Sequence, residues 1–240
     1  MMIADIVPKE CVINANVLSK FILTPKSRMA YYRGVSDSSF DLMSSAYRTE
    51  GLEQIQSLAK DYILRYSDMK CDGDLTPYMA ELAVLMEFHE MANSQGIVVP
   101  SIPRLYHQSR FLEIAEASKH SFVPWLDIAS LAQHYGLPTR MLDWSKDFLV
   151  ALFFACKDYS FDVKKDVAVY VLSMDNIANL VDIKFVTPDY SYNPNIRAQS
   201  GLFTAYVGPN ENAGKTFDQQ MSLSCGPGSN YDIAIKIKPD

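Results

Sequence analysis

The stretch from Leu131 to Cys156, LAQHYGLPTRMLDWSKDFLVALFFAC, concentrates side chains that can carry charge, exchange protons or hydrogen-bond a ligand. Eleven consecutive residues of it include an imidazole, a phenol, a hydroxyl, a guanidinium, a carboxylate and an indole, on His134, Tyr135, Thr139, Arg140, Asp143 and Trp144. A packed core does not need this density of polar groups, whereas preorganised chemistry does. The stretch is therefore the first candidate for a binding or catalytic site.

The residues around this polar stretch indicate how it is positioned. Pro124 suits the first turn of a helix, and Gly136 suits the position just past the end of that helix. Pro138 prevents the helix from continuing, so a short, stiff connector is predicted from Gly136 to Trp144.

A second helix is predicted after the connector. Ser145 is the predicted cap of this helix, because a serine hydroxyl can accept a hydrogen bond from a first-turn backbone N–H. The helix interior, Phe148–Cys156, is apolar nearly all round and is expected to be buried.

The first two-thirds of the chain carry helical patterns, and the last third carries strand patterns. Helices are predicted over Leu52–Tyr66, Pro77–Met91 with Thr76 as its cap, and Pro103–Ser118. A further helix, Val12–Leu23, is predicted as an N-terminal elaboration of the domain at residues 12–24. Strands are predicted over Arg28–Val35, Asp166–Ser173, Leu202–Val207 and Tyr231–Lys238. This order predicts an α+β fold, in which the helix-rich N-terminal two-thirds packs on a mixed or antiparallel sheet formed by the early strand and the C-terminal strands.

The composition is that of an ordinary globular domain, with 48% hydrophobic and 21% charged residues in 240. We therefore predict one domain over residues 1–240. The net charge of −6 argues against a broad nucleic-acid-binding surface, because such surfaces must neutralise phosphates. It still allows a local basic pocket for one phosphorylated ligand.

Cysteine spacing and apolar runs bear on metals and location. The four cysteines show no C-x-x-C spacing, so the sequence predicts neither a metal site nor a disulfide framework. The start MMIADIVPKE lacks the pattern of a signal peptide, and the longest apolar run is too short to span a bilayer. We expect a cytoplasmic protein without a membrane segment.

Three sequence blocks together resemble the FRG domain family, which occurs mostly in bacterial and phage proteins. The first is Tyr32-Arg33-Gly34 within YYRGVSDSSFDLMSSAYR, where the family has Phe-Arg-Gly. The second is AQHYGLPTRMLDWS followed by VALFFA, and the third is RAQSGLF, Arg197 to Phe203. The blocks run in the family's order from about residue 30 to about residue 205, so the resemblance implies a single FRG domain.

The FRG pattern in turn looks similar to that of the ADP-ribosyltransferases. Those enzymes begin with a strand carrying Arg or His, continue with a Ser/Thr-bearing strand before a helix, and end with a Glu at a strand start. Arg33 and the stretch Thr139–Ser145 match the first two features, and Gln199 stands where the third would place Glu. The resemblance implies an ADP-ribosyltransferase-like fold and an enzyme that uses NAD, without a metal, to modify a macromolecular target or to hydrolyse NAD. In a bacterial cell it implies a toxin or an antiphage effector.

Four residues receive roles toward NAD from this resemblance. Arg33 would anchor the pyrophosphate or ribose, with Gly34 allowing close backbone approach; otherwise Arg33 is a buried arginine paired with a carboxylate. His134 either acts at the ligand or bonds the last carbonyls of its helix. Tyr135 either stacks on a ligand ring or packs against the protein.

The remaining candidates also have two interpretations each. Arg140 and Asp143 can brace each other, or Arg140 can contact a phosphate while Asp143 orients the site or acts as acid or base. Thr139 can hydrogen-bond a ligand, and Gln199 either does so through its amide or satisfies nearby backbone. The predicted catalytic set is Arg33, His134, Arg140, Asp143 and Gln199, and the predicted NAD-binding set is Arg33, Gly34, Tyr135, Thr139 and Arg140.

Two further functions are compatible with the same residues. The pocket could belong to a non-catalytic module that recognises a nucleotide or a partner protein, which the absence of Glu from RAQSGLF favours. The motifs could also serve the fold alone, although the polar density of the central block disfavours this.

Glu81 lies near the middle of the apolar arc of the helix predicted over Pro77–Met91. A carboxylate in that position needs a cationic partner when it is buried. We predict a structural ion pair between Glu81 and one of three arginines, Arg33, Arg48 or Arg140.

Overall fold

A computed structural model of the chain describes residues 10–13, 30–66, 75–102, 111–119, 121–158, 166–173, 180–188, 201–225 and 234–237. Within these residues the strands are β1 (Glu10–Ile13), β2 (Ala30–Val35), β3 (Met141–Ser145), β4 (Val167–Ser173), β5 (Ile183–Val186), β6 (Gly201–Tyr206) and β7 (Ala234–Ile237). The helices are α1 (Thr49–Tyr66), α2 (Pro77–Ser94), α3 (Phe111–Ser118), α4 (Leu126–His134), α5 (Phe148–Cys156) and α6 (Phe217–Cys225).

The described strands form one sheet in the order β1-β7-β4-β2-β3-β6-β5. The pair β1–β7 is parallel and the other neighbouring pairs are antiparallel. The early strand β2 thus joins the C-terminal strands, and the predicted α+β architecture with a mixed sheet is confirmed.

The sheet consists of two halves with a weak junction between β2 and β3. Strand β2 pairs with β4 along its whole length, Ala30–Val35, whereas the recorded pairing of β2 with β3 is Tyr32 with Ser145. Beyond that residue pair the two strands are not joined by sheet pairing. A gap at this place leaves backbone groups and side chains of both strands open to other partners.

Most predicted elements occupy the expected residues. Thr76 caps α2 by accepting a hydrogen bond from the Met79 backbone N–H at 3.3 Å, and Pro77 lies in the first turn. Gly136 follows α4 with a positive φ of 87°, which favours glycine. Residues 103–110 of the helix predicted over Pro103–Ser118 lie outside the described residues.

Two predicted elements are wrong in the described residues. Val12 and Ile13 belong to β1 rather than to a helix, and residues 14–29 lie outside the described part of the chain. The predicted connector contains strand β3, because Met141–Ser145 hydrogen-bonds to β6 over five residue pairs. Sheet pairing with residues about sixty positions away decides this conformation, and no local pattern reveals it.

The predicted properties of helix α5 also need correction. Its cap is Asp147, whose carboxylate accepts a hydrogen bond from the Leu149 N–H at 2.8 Å, while Ser145 ends β3. The helix is buried on one side alone, since Leu149 is 53% exposed and Phe153 is 63% exposed. An apolar helix that packs on a single sheet face keeps an outer face in solvent.

The core is divided between the two faces of the sheet. Residues Val167 and Val169 of β4 pack with Tyr32 and α5, whereas Ala168 and Tyr170 belong to the cluster that contains α6. This division follows from the alternation of side chains along a strand. A third cluster packs α1, α2, α3 and α4 together with the end of the sheet near β3 and β6.

A buried ion pair joins this helical cluster to the sheet, as predicted for Glu81. Glu81 accepts hydrogen bonds from the Arg140 backbone N–H at 2.7 Å and from Arg140 Nε at 2.8 Å, and Arg140 Nη2 lies 2.8 Å from the same carboxylate. Both side chains are 1% exposed. Burial opposes the charge of Arg140, but the charge and hydrogen bonds of Glu81, together with Tyr47 and Tyr78, outweigh it, and the pKa of Arg140 is raised.

Replacing Glu81 by Gln is expected to destabilise the protein strongly. The change leaves the Arg140 guanidinium buried without a countercharge, which costs about 3–5 kcal/mol of unfolding free energy. The measurement is thermal or urea unfolding, and the exposed Glu53→Gln on α1 is the control. An unchanged melting temperature in Glu81→Gln would show that the pair does not stabilise the fold.

The stability of the protein is also expected to depend on the charge of Asp218 in α6. Burial, and then the nearby Asp41 carboxylate, raise the pKa of Asp218 to about 6 from its ordinary 3.8. The folded state therefore holds this proton more tightly than the unfolded state, and the resulting stability is lost as pH rises through about 6. Asp218→Asn should raise the unfolding free energy at pH 7.5 by roughly 1–3 kcal/mol.

The same variant should gain little near pH 4, where Asp218 is already protonated in the folded protein. Unfolding curves of both proteins across this pH range test the prediction. A stability difference that does not change with pH would contradict it.

Candidate functional site

A cleft of ≈ 590 Å³ opens where β2 and β3 separate. Both strands, the start of β6, the end of α4 and one side of helix α5 contribute to its walls. The polar side chains that line it are Arg33, Ser36, Arg48, Gln133, His134, Asp143, Ser145, Lys157 and Asp158. Aromatic rings of Tyr32, Phe40, Trp144, Phe154 and Phe203 also line it.

Arg33 lies in the gap between the two half-sheets. Its Nη1 donates to the Asp143 backbone carbonyl at 2.7 Å and to Asp143 Oδ2 at 3.3 Å. Its Nε is buried and has no hydrogen-bond partner within the described part of the chain. Because Nε and Nη1 lie on different edges of the planar guanidinium, the Asp143 contact leaves one donor edge for another acceptor.

A second arginine, Arg48, lines the cleft beside Arg33. It follows a short 3₁₀ turn, Ser45–Tyr47, and its Nε donates to the Met43 carbonyl at 3.0 Å. Burial and then the positive charge of Arg33 lower the pKa of Arg48, while Asp143 acts in the opposite direction. The two guanidiniums therefore repel each other in the cleft, and a bound anion would relieve that repulsion.

Asp143 is held by a chain of hydrogen bonds that begins at a buried residue. The Thr139 hydroxyl donates to Gln133 Oε1, and Gln133 Nε2 donates to Asp143 Oδ1 at 2.7 Å. Thr139 is fully buried, whereas the Asp143 side chain is 61% exposed. Both carboxylate oxygens of Asp143 are thus engaged, one by Gln133 and the other by Arg33.

The structure brings four of the predicted site residues to the cleft. They are Arg33, Gly34, His134 and Asp143. Gln199 lies outside the described residues, although the adjacent strand entry, Gly201–Phe203, lines the cleft. Arg33 and Gly34 come from β2, His134 from α4 and Asp143 from β3, which is why spacing along the chain did not group them.

Arg140 is not a cleft residue, and it does not brace Asp143. Its guanidinium is buried against Glu81 and lies over the Phe122 ring at 3.5 Å from the centroid. Successive side chains of an extended segment point to opposite faces, so residues three apart, such as Arg140 and Asp143, diverge. The predicted connector would have allowed them to meet, and strand β3 separates them.

Thr139 and Tyr135 also lie away from the ligand space. Thr139 is fully buried, and its hydroxyl is connected to the cleft through Gln133. Tyr135 is 49% exposed, outside the cleft, and its ring packs against Phe88 at 5.8 Å between centroids and against His134 at 5.7 Å.

Sequence reasoning did not place Arg48, Gln133 or Lys157 at the site. Arg48 closes the first family block, YYRGVSDSSFDLMSSAYR, and Gln133 is part of AQHYG. Their positions inside these blocks were the available signal. Lys157 and Asp158 follow the apolar helix α5 and carried no comparable signal.

Gly34 lies against helix α5 and also lines the cleft. A Cβ atom added to Gly34 would lie 1.8 Å from the Ala151 carbonyl oxygen and 2.7 Å from the Ala155 nitrogen. The glycine therefore lets the helix approach β2 closely, and this contact fixes one wall of the cleft.

Gly34→Ala is accordingly expected to destabilise the fold by at least about 2 kcal/mol, because rigid backbone atoms must move to admit the methyl group. Gly214→Ala is the control, because the atoms nearest to its added Cβ belong to a side chain rather than to the backbone. The nearest is a Tyr47 ring carbon at 3.2 Å. Thermal unfolding of both variants without ligand is the measurement. A Gly34→Ala protein with the parental melting temperature would contradict a packing role.

Among the residues that the structure describes, no group of three or more His, Cys, Asp or Glu side chains is arranged to hold a metal ion. No helix within the described ranges is long and apolar enough to cross a membrane.

Comparison with known protein families identifies the chain. The FRG domain family model matches residues 28–163, which is more than half of the 240 residues and includes β2, α1, α2, β3 and α5. Comparisons with curated proteins and with solved structures yielded no match. The matched range contains Arg33, Arg48 and the hydrogen bonds that run from Thr139 through Gln133 to Asp143. The polypeptide belongs to the FRG domain family.

Proposed function

We propose that this FRG domain binds NAD in the cleft and cleaves its nicotinamide bond, as an ADP-ribosyltransferase-like enzyme that modifies a macromolecular target or hydrolyses NAD. One observation carries the proposal. Arg33 and Arg48 stand together in the cleft, and Arg33 keeps a buried Nε–H that has no partner among the described residues. A pyrophosphate supplies the negative charge and the oxygen atoms that this arrangement lacks.

The arginine pair suits a pyrophosphate better than a single carboxylate. A guanidinium can donate two parallel hydrogen bonds to one phosphate, and two guanidiniums can hold adjacent phosphates. The cleft also has aromatic rings in its wall, including the 52% exposed Phe40, against which a base or a nicotinamide ring can stack. A cleft of ≈ 590 Å³ is within the range of small-molecule sites.

The proposed reaction breaks the bond between ribose C1′ and the nicotinamide nitrogen, and the bonding electron pair leaves with nicotinamide. The ribose gains oxocarbenium character, and a nucleophile from the target or from water bonds to C1′ and loses a proton. His134 lines the cleft, and its imidazole is the group proposed to accept that proton. Asp143 orients Arg33, and Gln199 is assigned a hydrogen bond to the ligand. In a bacterial cell this activity would suit a toxin or an antiphage effector.

A non-catalytic nucleotide- or protein-recognition module is the second candidate. Its support is specific, because both oxygens of the Asp143 carboxylate are already hydrogen-bonded, and the RAQSGLF block carries Gln199 rather than Glu. A recognition module needs the arginine pair and no free carboxylate.

The deciding experiment measures nicotinamide release from NAD and, separately, calorimetric binding of ADP-ribose, which keeps the pyrophosphate but cannot react. Arg33→Ala should weaken ADP-ribose binding about 10- to 100-fold, since it removes charge-assisted hydrogen bonds. Arg48→Ala should weaken binding in the same direction. Arg65→Ala, a surface arginine paired with Glu87 away from the cleft, is the control.

The outcomes separate the two candidates. Nicotinamide release that disappears in Arg33→Ala supports the enzyme. ADP-ribose binding that depends on Arg33, without any nicotinamide release, supports the recognition module instead. Binding that is equal in Arg33→Ala and in Arg65→Ala would overturn both.

A further inference from the structure

We infer that Gln133 is a positioning residue, which holds Asp143 and thereby presets Arg33 for an anionic ligand. This inference rests on the proposed function, because it names how the same cleft is kept ready for a pyrophosphate. The residue does not need to touch the ligand to act in this way.

The Asp143 backbone carbonyl holds Arg33 Nη1 at 2.7 Å, but the contact between Arg33 and the Asp143 carboxylate is too weak to fix the carboxylate by itself. Its charged atoms are 3.3 Å apart, and the Asp143 side chain is 61% exposed, so water competes for the carboxylate. Ion pairs in such surroundings contribute about 0–1 kcal/mol. A fixed orientation of the carboxylate, and with it the second bond to Arg33, therefore requires another restraint on the Asp143 side chain.

Gln133 supplies that restraint with a defined direction. Its Oε1 accepts from the Thr139 hydroxyl, which in turn accepts a hydrogen bond from the Met141 backbone N–H at 3.3 Å. This leaves the Gln133 amide nitrogen as the group that faces Asp143, at 2.7 Å from Oδ1. An amide that is held at its oxygen by a buried hydroxyl cannot rotate to present oxygen to the carboxylate without losing both bonds.

Thr139, the buried residue that holds the Gln133 amide, also positions Arg48. The Thr139 backbone N–H donates to the Ser45 hydroxyl at 3.1 Å, and the Thr139 carbonyl accepts from the Ala46 N–H at 3.1 Å. Both bonds hold the turn Ser45–Tyr47, which ends immediately before Arg48. Thr139 therefore links the two guanidiniums, reaching Arg48 through this turn and Arg33 through Gln133.

A pH-dependent variant separates positioning from simple packing. Gln133→Glu keeps the shape, but its ionised carboxylate repels Asp143, whereas its protonated form can again donate to Asp143. Affinity for ADP-ribose should be about 10-fold below that of the parent protein at pH 8 and should recover toward it near pH 5. A role in packing alone would give a deficit that does not change with pH.

Other charged groups lie around position 133 and can also change the ADP-ribose affinity with pH. Comparing the affinity of Gln133→Glu with that of the parent protein at the same pH accounts for them. On the described elements that face the cleft they are Arg33, Arg48, His134, Asp143, Lys157 and Asp158. The ratio of the two affinities at one pH isolates the new carboxylate, since both proteins share these groups.

The experiment measures ADP-ribose binding by the full chain at pH 5, 6.5 and 8 for Gln133→Leu, Gln133→Glu and Arg33→Ala. The control is Gln56→Leu on helix α1, away from the cleft. This variant loses the hydrogen bond from the Gln56 amide to the Leu75 carbonyl. Gln133→Leu should bind about 10-fold more weakly at every pH, with the melting temperature of the Gln56→Leu control.

Each remaining result has a distinct meaning. If Arg33→Ala binds like the parent, the proposed function fails and this inference fails with it. If Arg33→Ala loses binding while Gln133→Leu does not, the positioning role alone is overturned. A Gln133→Glu protein whose deficit persists at pH 5 would also overturn it.

Discussion

The buried ion pair between Glu81 and Arg140 is the interaction on which the rest of this structure depends. It connects helix α2 to the residue that precedes strand β3, and Arg140 Nη1 also donates to the Tyr206 carbonyl of β6 at 3.3 Å. The Glu81 carboxylate, several hydrogen bonds and the Phe122 ring surround one guanidinium that is almost fully buried. Two charges are stable in such a place because each satisfies the other, and neither can be removed alone.

The position of the ion pair matters because Thr139, the residue before Arg140, holds residues that line the cleft. Thr139 is fixed next to Arg140, and its backbone and hydroxyl then hold the turn before Arg48 and the amide of Gln133. Through these hydrogen bonds, the rigidity of the core extends to polar groups that lie near solvent. Sites built on fixed elements keep their geometry better than sites built on free loops.

The divided sheet gives the cleft its place. Strands β2 and β3 meet at Tyr32 and Ser145 and then separate, so Arg33 enters the gap and bonds a carbonyl that a continuous sheet would have used. Helix α5 closes one wall and can lie close to β2 because residue 34 has no side chain. The protein has a net charge of −6, so the positive charge of the cleft is a local feature. It arises because the fold places Arg33 and Arg48 close together.

Local sequence determined much of the architecture and part of the site. Capping and turn residues, such as Thr76, Pro77 and Gly136, placed helix boundaries, because their effects act within a few residues. The apolar arc around Glu81 required a buried cation, and the family blocks pointed to Arg33, His134 and Asp143. Strand β3, the direction of Arg140, and the entry of Arg48 and Gln133 into the cleft were decided by tertiary structure alone. Strand pairing joins residues far apart in the chain, and it sets which face each side chain occupies, so no local pattern could specify these features.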